Sequence, residues 1–112
     1  EHPSVTGYCP TFQRAVELLG RRWTGAIVRS LLAGSVRFSD VLAEVPGLSD
    51  RLLSERLREL EAEGVVTRHV YPETPVRIEY ELTEKGRELE TIVRELDAWA
   101  GRWAGELPDG HS

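Results

Sequence analysis

Residues 37–82 carry the stretch that decides the fold, and their sequence is RFSDVLAEVPGLSDRLLSERLRELEAEGVVTRHVYPETPVRIEYEL. In its first half, serines that can cap helices alternate with Pro-Gly and Gly stops. Ser39 is predicted to cap a short helix over 40–44, and Ser49 is predicted to cap a longer helix over 50–63. A short connection over 45–49, which contains a Pro-Gly turn, separates the two predicted helices.

The second half of this stretch changes to a strand pattern. β-Branched and aromatic residues dominate 65–71, whereas Ile78, Tyr80 and Leu82 alternate with charged residues over 77–82. Two prolines stiffen the loop between these segments. The pattern predicts a β-hairpin with one apolar face.

The order of these elements is that of a winged helix-turn-helix, an α+β fold that is mainly α. A helix fits the ~12 Å major groove of DNA, and a hairpin can lie across the neighbouring phosphate backbone. The order alone leaves an alternative open, in which a small α+β domain packs a hairpin on helices for stability only.

Helical patterns flank the stretch on both sides. Apolar residues at helical spacing predict one helix over 10–19 and a second over 23–32, and Thr83 is predicted to cap a final helix. We therefore predict a single domain over 8–104. Its parts are a recognition helix at 49–63, a wing hairpin at 65–82 and a dimerisation helix at 84–104, with flexible ends at 1–7 and 105–112.

Length and composition fit one globular domain. The chain has 112 residues, of which 40% are hydrophobic and 29% are charged. Its longest apolar runs hold only three or four residues, whereas a membrane span needs about 20. Since no basic-then-apolar leader is visible either, we expect a cytoplasmic protein without membrane contact.

Few residues suit catalysis or metal binding. One cysteine cannot form an intramolecular disulfide, and three well-separated histidines with that cysteine argue against a metal site. No nucleophile–base pair and no phosphate-binding loop is visible in the sequence. We therefore expect neither an enzyme nor a bound cofactor.

The charge balance argues at first against a nucleic-acid partner. Fourteen basic residues face nineteen acidic ones, which gives a net charge of −5, whereas DNA-binding domains usually carry a basic surface. Binding depends on where the charges lie, however. Thirteen of the basic residues are arginines, whose rigid fork suits phosphate and guanine.

The longer helix of the stretch divides into a core face of leucines and an outer face. Arginine can bridge guanine O6 and N7, and glutamate can accept a hydrogen bond from cytosine. Alternatively, Glu55 forms surface pairs with Arg51 and Arg58, worth ~0.2–0.5 kcal/mol each. Arg56 lies nearer the core side and is predicted to be a structural ion-pair partner. The candidate base readers on the outer face are Arg51, Ser54, Glu55 and Arg58.

Backbone phosphates are expected to meet cationic and helix-start residues around that outer face. The glutamates near the end of the same helix, Glu59, Glu61 and Glu63, are then predicted to lie away from the DNA. The candidate phosphate contacts are Arg37, Ser39, Ser49, Arg68, His69 and Arg77.

The final helix is more apolar than one small domain needs. Its apolar stripe ends in two tryptophans, each able to bury ~150–250 Å². We predict a twofold dimer with the first helix of a partner, which would set two recognition helices ~34 Å apart on a palindromic site. Packing within one domain is the alternative. The predicted interface residues are Phe12, Val16, Leu89, Ile92, Val93, Leu96, Trp99 and Trp103.

Several short motifs follow one another in a fixed order through most of the chain. This ordered set resembles the HxlR-type family of bacterial winged-helix transcription regulators, relatives of MarR. The motifs are CP at 9–10, LLGRRWT at 18–24, RFS at 37–39, LRELE at 57–61, GVV at 64–66, RIEY at 77–80 and LTEKG at 82–86.

The resemblance implies a homodimer, joined through its first and last helices, that binds palindromic promoter DNA as a repressor or, less often, as an activator. Several family members use a single cysteine before the first helix to sense quinones or other electrophiles, and Cys9 matches that position. A thiol at a helix start can be activated, although a lone cysteine is often simply a small buried hydrophobe.

A second class of function stays open at this point. The acidic net charge is compatible with a winged-helix module that binds another protein or a small effector without reading bases.

Overall fold

The computed structural model describes residues 7–106, in which six α-helices surround one two-stranded antiparallel sheet. The predicted fold class, a mainly helical α+β winged helix-turn-helix, is confirmed. Most of the two ends that were predicted to be flexible lies outside the described residues. The elements are α1 (Pro10–Leu19), α2 (Thr24–Leu32), α3 (Phe38–Glu44), α4 (Asp50–Ala62), β1 (Val66–Tyr71), β2 (Arg77–Leu82), α5 (Glu84–Arg87), α6 (Leu89–Arg102) and a single 3-10 turn (Ala104–Glu106).

The start of α3 differs from the prediction. The helix begins at Phe38 with Arg37 in the N-cap position, and no side chain caps it, so the predicted capping role of Ser39 is wrong. The reason is tertiary: the Tyr80 amide donates to the Val36 carbonyl at 2.7 Å, and Arg37 forms an isolated bridge with β2. This edge pairing holds the chain extended up to the first residue of α3.

The two other predicted caps are confirmed. The Ser49 hydroxyl accepts a hydrogen bond from the Leu52 amide at 3.1 Å, which secures the start of α4. The Thr83 hydroxyl accepts from the Gly86 amide at 3.1 Å and secures α5. Such caps typically contribute about 1 kcal/mol each.

The predicted single helix over 84–104 is divided in two. The turn α5 is clamped against the base of the hairpin, because a Cβ on Gly86 would lie only 2.2 Å from the Val65 carbonyl oxygen. Glu88 then separates this turn from α6, which ends at Arg102. Because of this break, α5 packs closely on the base of the hairpin, whereas α6 lies on the outside of the domain with no buried residue.

The core lies between α2, α3, α4 and the sheet. The three leucines that were assigned to the core face of α4 are at most 1% exposed, which confirms that face: Leu53, Leu57 and Leu60. Arg56 is 7% exposed and donates through Nε to the Arg22 carbonyl at 2.9 Å and through Nη1 to Glu59 at 3.2 Å. Its predicted structural role is therefore confirmed.

The hairpin register fixes which side chains share a face. Val66 lies opposite Leu82, and Tyr71 lies opposite Arg77. Since side chains alternate along a strand, Ile78, Tyr80 and Leu82 share the face that packs on the core. The charged residues of β2 point the other way, as the alternating pattern predicts.

Candidate nucleic-acid interface

The outer face of α4 presents two arginines two helical turns apart. Arg51 lies in the first turn, where its side chain is 87% exposed, and Arg58 is exposed on the same side. Seven residues of helix rise about 10.5 Å, roughly three base pairs along a groove. Arg58 forms no ion pair with any residue of the described chain, so its fork is available to a ligand.

Glu55 lies between these arginines and is held by two other contacts. Its carboxylate is 3.3 Å from Arg51 Nε and 3.8 Å from Arg56 Nη1. The alternative surface pair with Arg51 is therefore formed, whereas the pair with Arg58 is not seen in the described chain. Ser54, on the same helix, is half-buried.

The three hairpin candidates do not lie on one face. Arg68 is opposite Tyr80 in the register and shares its face, although its side chain extends into solvent. His69 and Arg77 lie on the opposite face of the hairpin. His69 Nε2 is 2.9 Å from a carboxylate oxygen of Glu81, so Arg68 is the more accessible cation of the wing.

Arg77 is held by a dense set of intramolecular contacts. It donates to Glu73 at 2.8 Å and also to Glu79, and its guanidinium lies 4.0 Å from the centre of the Tyr71 ring. The hydrogen bonds to Glu73 and then Glu79 raise the pKa of Arg77 above its ordinary value. The same contact with Arg77 lowers the pKa of Glu73. Arg77 thus braces the loop of the wing, and any phosphate contact by it would have to displace these carboxylates.

An open cleft of about 540 Å³ separates the start of α3 from the wing loop. Arg37 and Ser39 line one side of the cleft, and residues 73–78 line the other. Arg37 keeps only a long contact, 3.8 Å, with Glu79 and is about half exposed. The cleft thus has one loosely held cation, Arg37, on the α3 side and the Arg77-paired carboxylate of Glu73 on the wing side.

The acidic end of α4 is partly neutralised. Glu59 lies 3.3 Å from Arg21 and 3.2 Å from Arg56. Glu61 is exposed in the last turn and Glu63 follows it at the C-cap. These carboxylates therefore lie at the opposite end of the helix from Arg51.

The first and last long helices have uncovered apolar faces. No residue of α1 or α6 is buried, and Phe12, Leu96 and Trp103 are 68%, 60% and 48% exposed. Val16, Ile92 and Trp99 belong to the same exposed set. Tyr8, 72% exposed, adds to it; sequence reasoning missed this residue because it precedes the helical pattern.

Two of the predicted interface residues have a different position. Leu89 and Val93 are half-buried against the core of their own chain. They lie on a stripe of α6 directly beside the exposed stripe, and both stripes are apolar. Leu89 and Val93 therefore contribute to the core of their own chain, and their assignment to a dimer interface stays a prediction.

Cys9 is the N-cap residue of α1 and its thiol is exposed. Its backbone is extended, with φ −136° and ψ 116°, and its carbonyl accepts from the Gln13 amide at 2.9 Å. The alternative interpretation of this cysteine as a small buried hydrophobe is therefore wrong.

Two other kinds of site are not found in the part of the chain that is described. None of its helices combines the length and apolar character needed to cross a membrane. Nor do its His, Cys, Asp and Glu side chains form a cluster of three suited to a metal ion.

Sequence comparison places the chain among HTH-type transcriptional regulators. It is 58% identical over 95 residues to the uncharacterized HTH-type transcriptional regulator YvaP of Bacillus subtilis strain 168, a match that covers 85% of this chain and 88% of YvaP. It is 44% identical over 95 residues to the HTH-type transcriptional regulator YodB of the same strain, which covers 85% of each chain.

Structural comparison gives the same result. The reduced form of YodB matches 92% of this chain and 100% of its own, with a TM-score of 0.76 and 43% identity. YodB has also been solved in diamide-treated and quinone-bound forms. The redox regulator HypR in its reduced form matches 84% of this chain and 93% of its own, with a TM-score of 0.78 and 35% identity.

The family model for the HxlR-like helix-turn-helix matches residues 18–107, which include all of α2 to α6. Both this family and the curated relatives consist of transcriptional regulators and not of enzymes. With its winged helix-turn-helix fold, the chain belongs to the HxlR-like helix-turn-helix family of transcriptional regulators.

Proposed function

We propose that a homodimer of this chain binds pseudo-palindromic promoter DNA in the cytoplasm and represses transcription there. In this arrangement α4 enters the major groove and the hairpin lies across the adjacent backbone. The observation that carries the proposal is the outer face of α4, where Arg51 and Arg58 are exposed behind a capped N-terminus.

The contacts divide into base reading and backbone positioning. The guanidinium of Arg58 has no ion-pair partner in the described chain and contacts guanine directly. Arg51 contacts a second base after its surface pair with Glu55 opens. Such a pair is weak, roughly 0.2–0.5 kcal/mol, so opening it costs little. Ser54 and Glu55 complete the base-reading set.

Backbone contacts come from three places around that helix. Ser49 and the free amides at the start of α4 meet one phosphate, Arg37 and Ser39 meet a second in the cleft, and Arg68 meets a third from the wing. His69 contributes at the wing when its contact with Glu81 opens. We assign Arg77 to holding the shape of the wing.

The exposed apolar faces of α1 and α6 support the homodimer. Phe12, Leu96, Trp99 and Trp103 would otherwise remain in water, and large exposed apolar patches typically mark interfaces. The chain is also elongated: its radius of gyration is 15.9 Å, whereas a compact domain of about this length has ~13 Å. A twofold axis beside α6 covers the patch and pairs two recognition helices.

Salt titration of DNA binding tests this function. The upstream promoter region of the protein's own gene is the first probe, at salt concentrations from 50 to 300 mM. Because each neutralised phosphate releases counterions, we expect log Kd to rise linearly with log salt, with a slope of about 0.9 for every phosphate contacted. A scrambled duplex of equal length is the control and should bind at least tenfold more weakly. Equal affinity for both duplexes, or a slope near zero, would instead favour a module that binds protein or a small effector.

We also propose that electrophiles and oxidants control this DNA binding through Cys9. The support is the exposed Cys9 at the start of α1, which follows Tyr8 in sequence and precedes Phe12 by three residues, both of them exposed apolar side chains. YodB, solved in quinone-bound form, and the redox regulator HypR share this fold. In a conjugate addition the Cys9 thiolate would form a C–S bond to a ring carbon of benzoquinone as the ring C=C bond opens towards a carbonyl oxygen. That oxygen takes up a proton in place of the one the thiol lost, which leaves an S-linked hydroquinone, a bulky group at the dimer face.

The test compares wild type with Cys9→Ser, which keeps the size and removes the nucleophile. We expect benzoquinone to change the Kd of the wild type for operator DNA by at least tenfold and to leave the serine variant unchanged. Intact-protein mass spectrometry should show one adduct for each wild-type chain. An equal response of both proteins to the quinone would rule out Cys9 as the sensor.

A further inference from the structure

The dimerisation helix α6 is tied to α2 by a forked ion pair. Arg29 Nε lies 3.2 Å from both carboxylate oxygens of Asp97, and Arg29 Nη2 lies 3.0 Å from Oδ2. The hydrogen bond to Asp97 is the main cause of the raised pKa of Arg29. The two residues are 68 positions apart in the chain, so the pair is a tertiary link and not a local feature of one helix.

The same part of α2 is also tied to α3, the first helix of the helix-turn-helix. The neighbouring Ser30 donates to Glu44 at 2.5 Å, and Ser35 donates to the same carboxylate at 3.0 Å. These hydrogen bonds lower the pKa of Glu44, and the positive charge of Arg29 adds to the effect. Asp97, Arg29, Ser30 and Glu44 thus form a polar connection from α6 to the DNA-facing half of the chain.

The position of Asp97 along α6 allows the ion pair to fix the direction of this helix. Leu89 and Val93 hold the first half of the helix against the core. Asp97 lies on the same side, about 12 Å beyond Leu89 at 1.5 Å per residue. A helix held only at one end can swing, whereas a second contact further along fixes its direction.

The free stripe of α6 lies directly beside this one. Leu96 precedes Asp97, and Trp99 lies two residues beyond it. Both side chains are on other sides of the helix from Asp97 and remain exposed. In a dimer built on that stripe, the direction of α6 in each protomer decides how far apart, and at what angle, the two recognition helices lie.

We propose that the Arg29–Asp97 ion pair sets the angle between the dimerisation helix and the helix-turn-helix, and thereby the spacing of DNA half-sites that the dimer accepts. This inference rests on the proposed function. Arg29 and Asp97 are positioning residues that touch no DNA, and their effect is on spacing selectivity.

The probe is the duplex that the wild-type protein selects from a randomised library, together with versions in which one or two base pairs are added or removed between the half-sites. We expect the wild type to prefer one spacing by at least about tenfold, because one base pair turns a half-site by roughly 34°. Asp97→Asn and Arg29→Gln should each reduce this preference to about threefold or less. Since the pair is exposed, folding and dimerisation should change little.

The chain offers a matched control in the Glu90–Arg94 pair, which has similar geometry but lies within α6. Glu90→Gln should leave the spacing preference as in wild type. The double variant Arg29→Gln/Asp97→Asn should behave like either single variant, because all three lose the same contact.

Three outcomes would overturn the inference. They are a spacing preference in Asp97→Asn equal to that of wild type, additive losses in the double variant, and an equal loss in Glu90→Gln. Failure of the wild type to select any DNA is a different result, since it would remove the proposed function itself.

Discussion

Replacing Arg51 and Arg58 together with alanine is expected to weaken binding of the selected operator at least a hundredfold. A bidentate arginine–guanine contact is worth about 1–3 kcal/mol, and the dimer carries two copies of each residue. Both side chains are exposed on α4, so the fold loses only the weak surface pair between Arg51 and Glu55, worth roughly 0.2–0.5 kcal/mol. Fluorescence anisotropy with the operator and with a scrambled duplex measures the effect.

The pattern of losses distinguishes base reading from general charge. The double variant should lose much more affinity for the operator than for the scrambled duplex. Arg94→Ala/Arg102→Ala removes the same charge from exposed positions on α6 and should change operator affinity less than about threefold. Equal losses for the two double variants would show that α4 is not the reading helix.

Introducing a charge at Leu96 is expected to abolish the dimer and, with it, operator binding. In the proposed interface Leu96→Asp would bury an unpaired carboxylate in each protomer, which costs several kcal/mol. The dimer dissociation constant should therefore rise at least about a hundredfold. Sedimentation velocity across a concentration series measures it, and DNA binding should fall in parallel.

Ala98→Asp is the matched control for this experiment. Ala98 is exposed two positions along α6, on the side away from the apolar stripe. The same carboxylate placed there should leave both dimerisation and operator affinity within about twofold of wild type. If Leu96→Asp remained a dimer of wild-type strength, the α1/α6 interface would be wrong.

Local sequence signals were sufficient for most of the fold. Ser49 and Thr83 cap their helices as predicted, because a hydroxyl and the amides it caps are close in sequence. The helical spacing of Leu53, Leu57 and Leu60 also places them in the core, since periodicity reports directly which face is apolar.

The missed features depend on contacts that local sequence does not contain. Ser39 fails as a cap because the preceding residues pair with a strand some forty residues later. The packing of Leu89 and Val93 on the core of their own chain could not be separated in the sequence from the exposed apolar residues of α6, because both sets form one broad apolar stripe. The Arg29–Asp97 pair joins two helices that are far apart in the chain, and no local sequence pattern in either helix predicts it.

The residue types of the candidate site could be read from the sequence, but whether each arginine is paired with a carboxylate could not. Charged residue types at outward positions predict a surface that faces DNA. Whether each fork is free depends on neighbouring carboxylates: Arg77 is held by Glu73 and Glu79 in the folded wing, whereas Arg58 is not paired within the described chain. The proposed reading surface therefore rests on fewer free cations than the sequence suggests.

The exposed apolar faces of α1 and α6 make dimerisation, and with it the response of the protein to its own concentration, part of the proposed function. When most chains are monomers, the amount of dimer varies with the square of the total concentration, so halving the copy number leaves about a quarter of the dimer. Promoter occupancy would then follow expression level steeply. If the chain acts as the dimeric repressor proposed above, dilution during growth would relieve repression without any chemical signal.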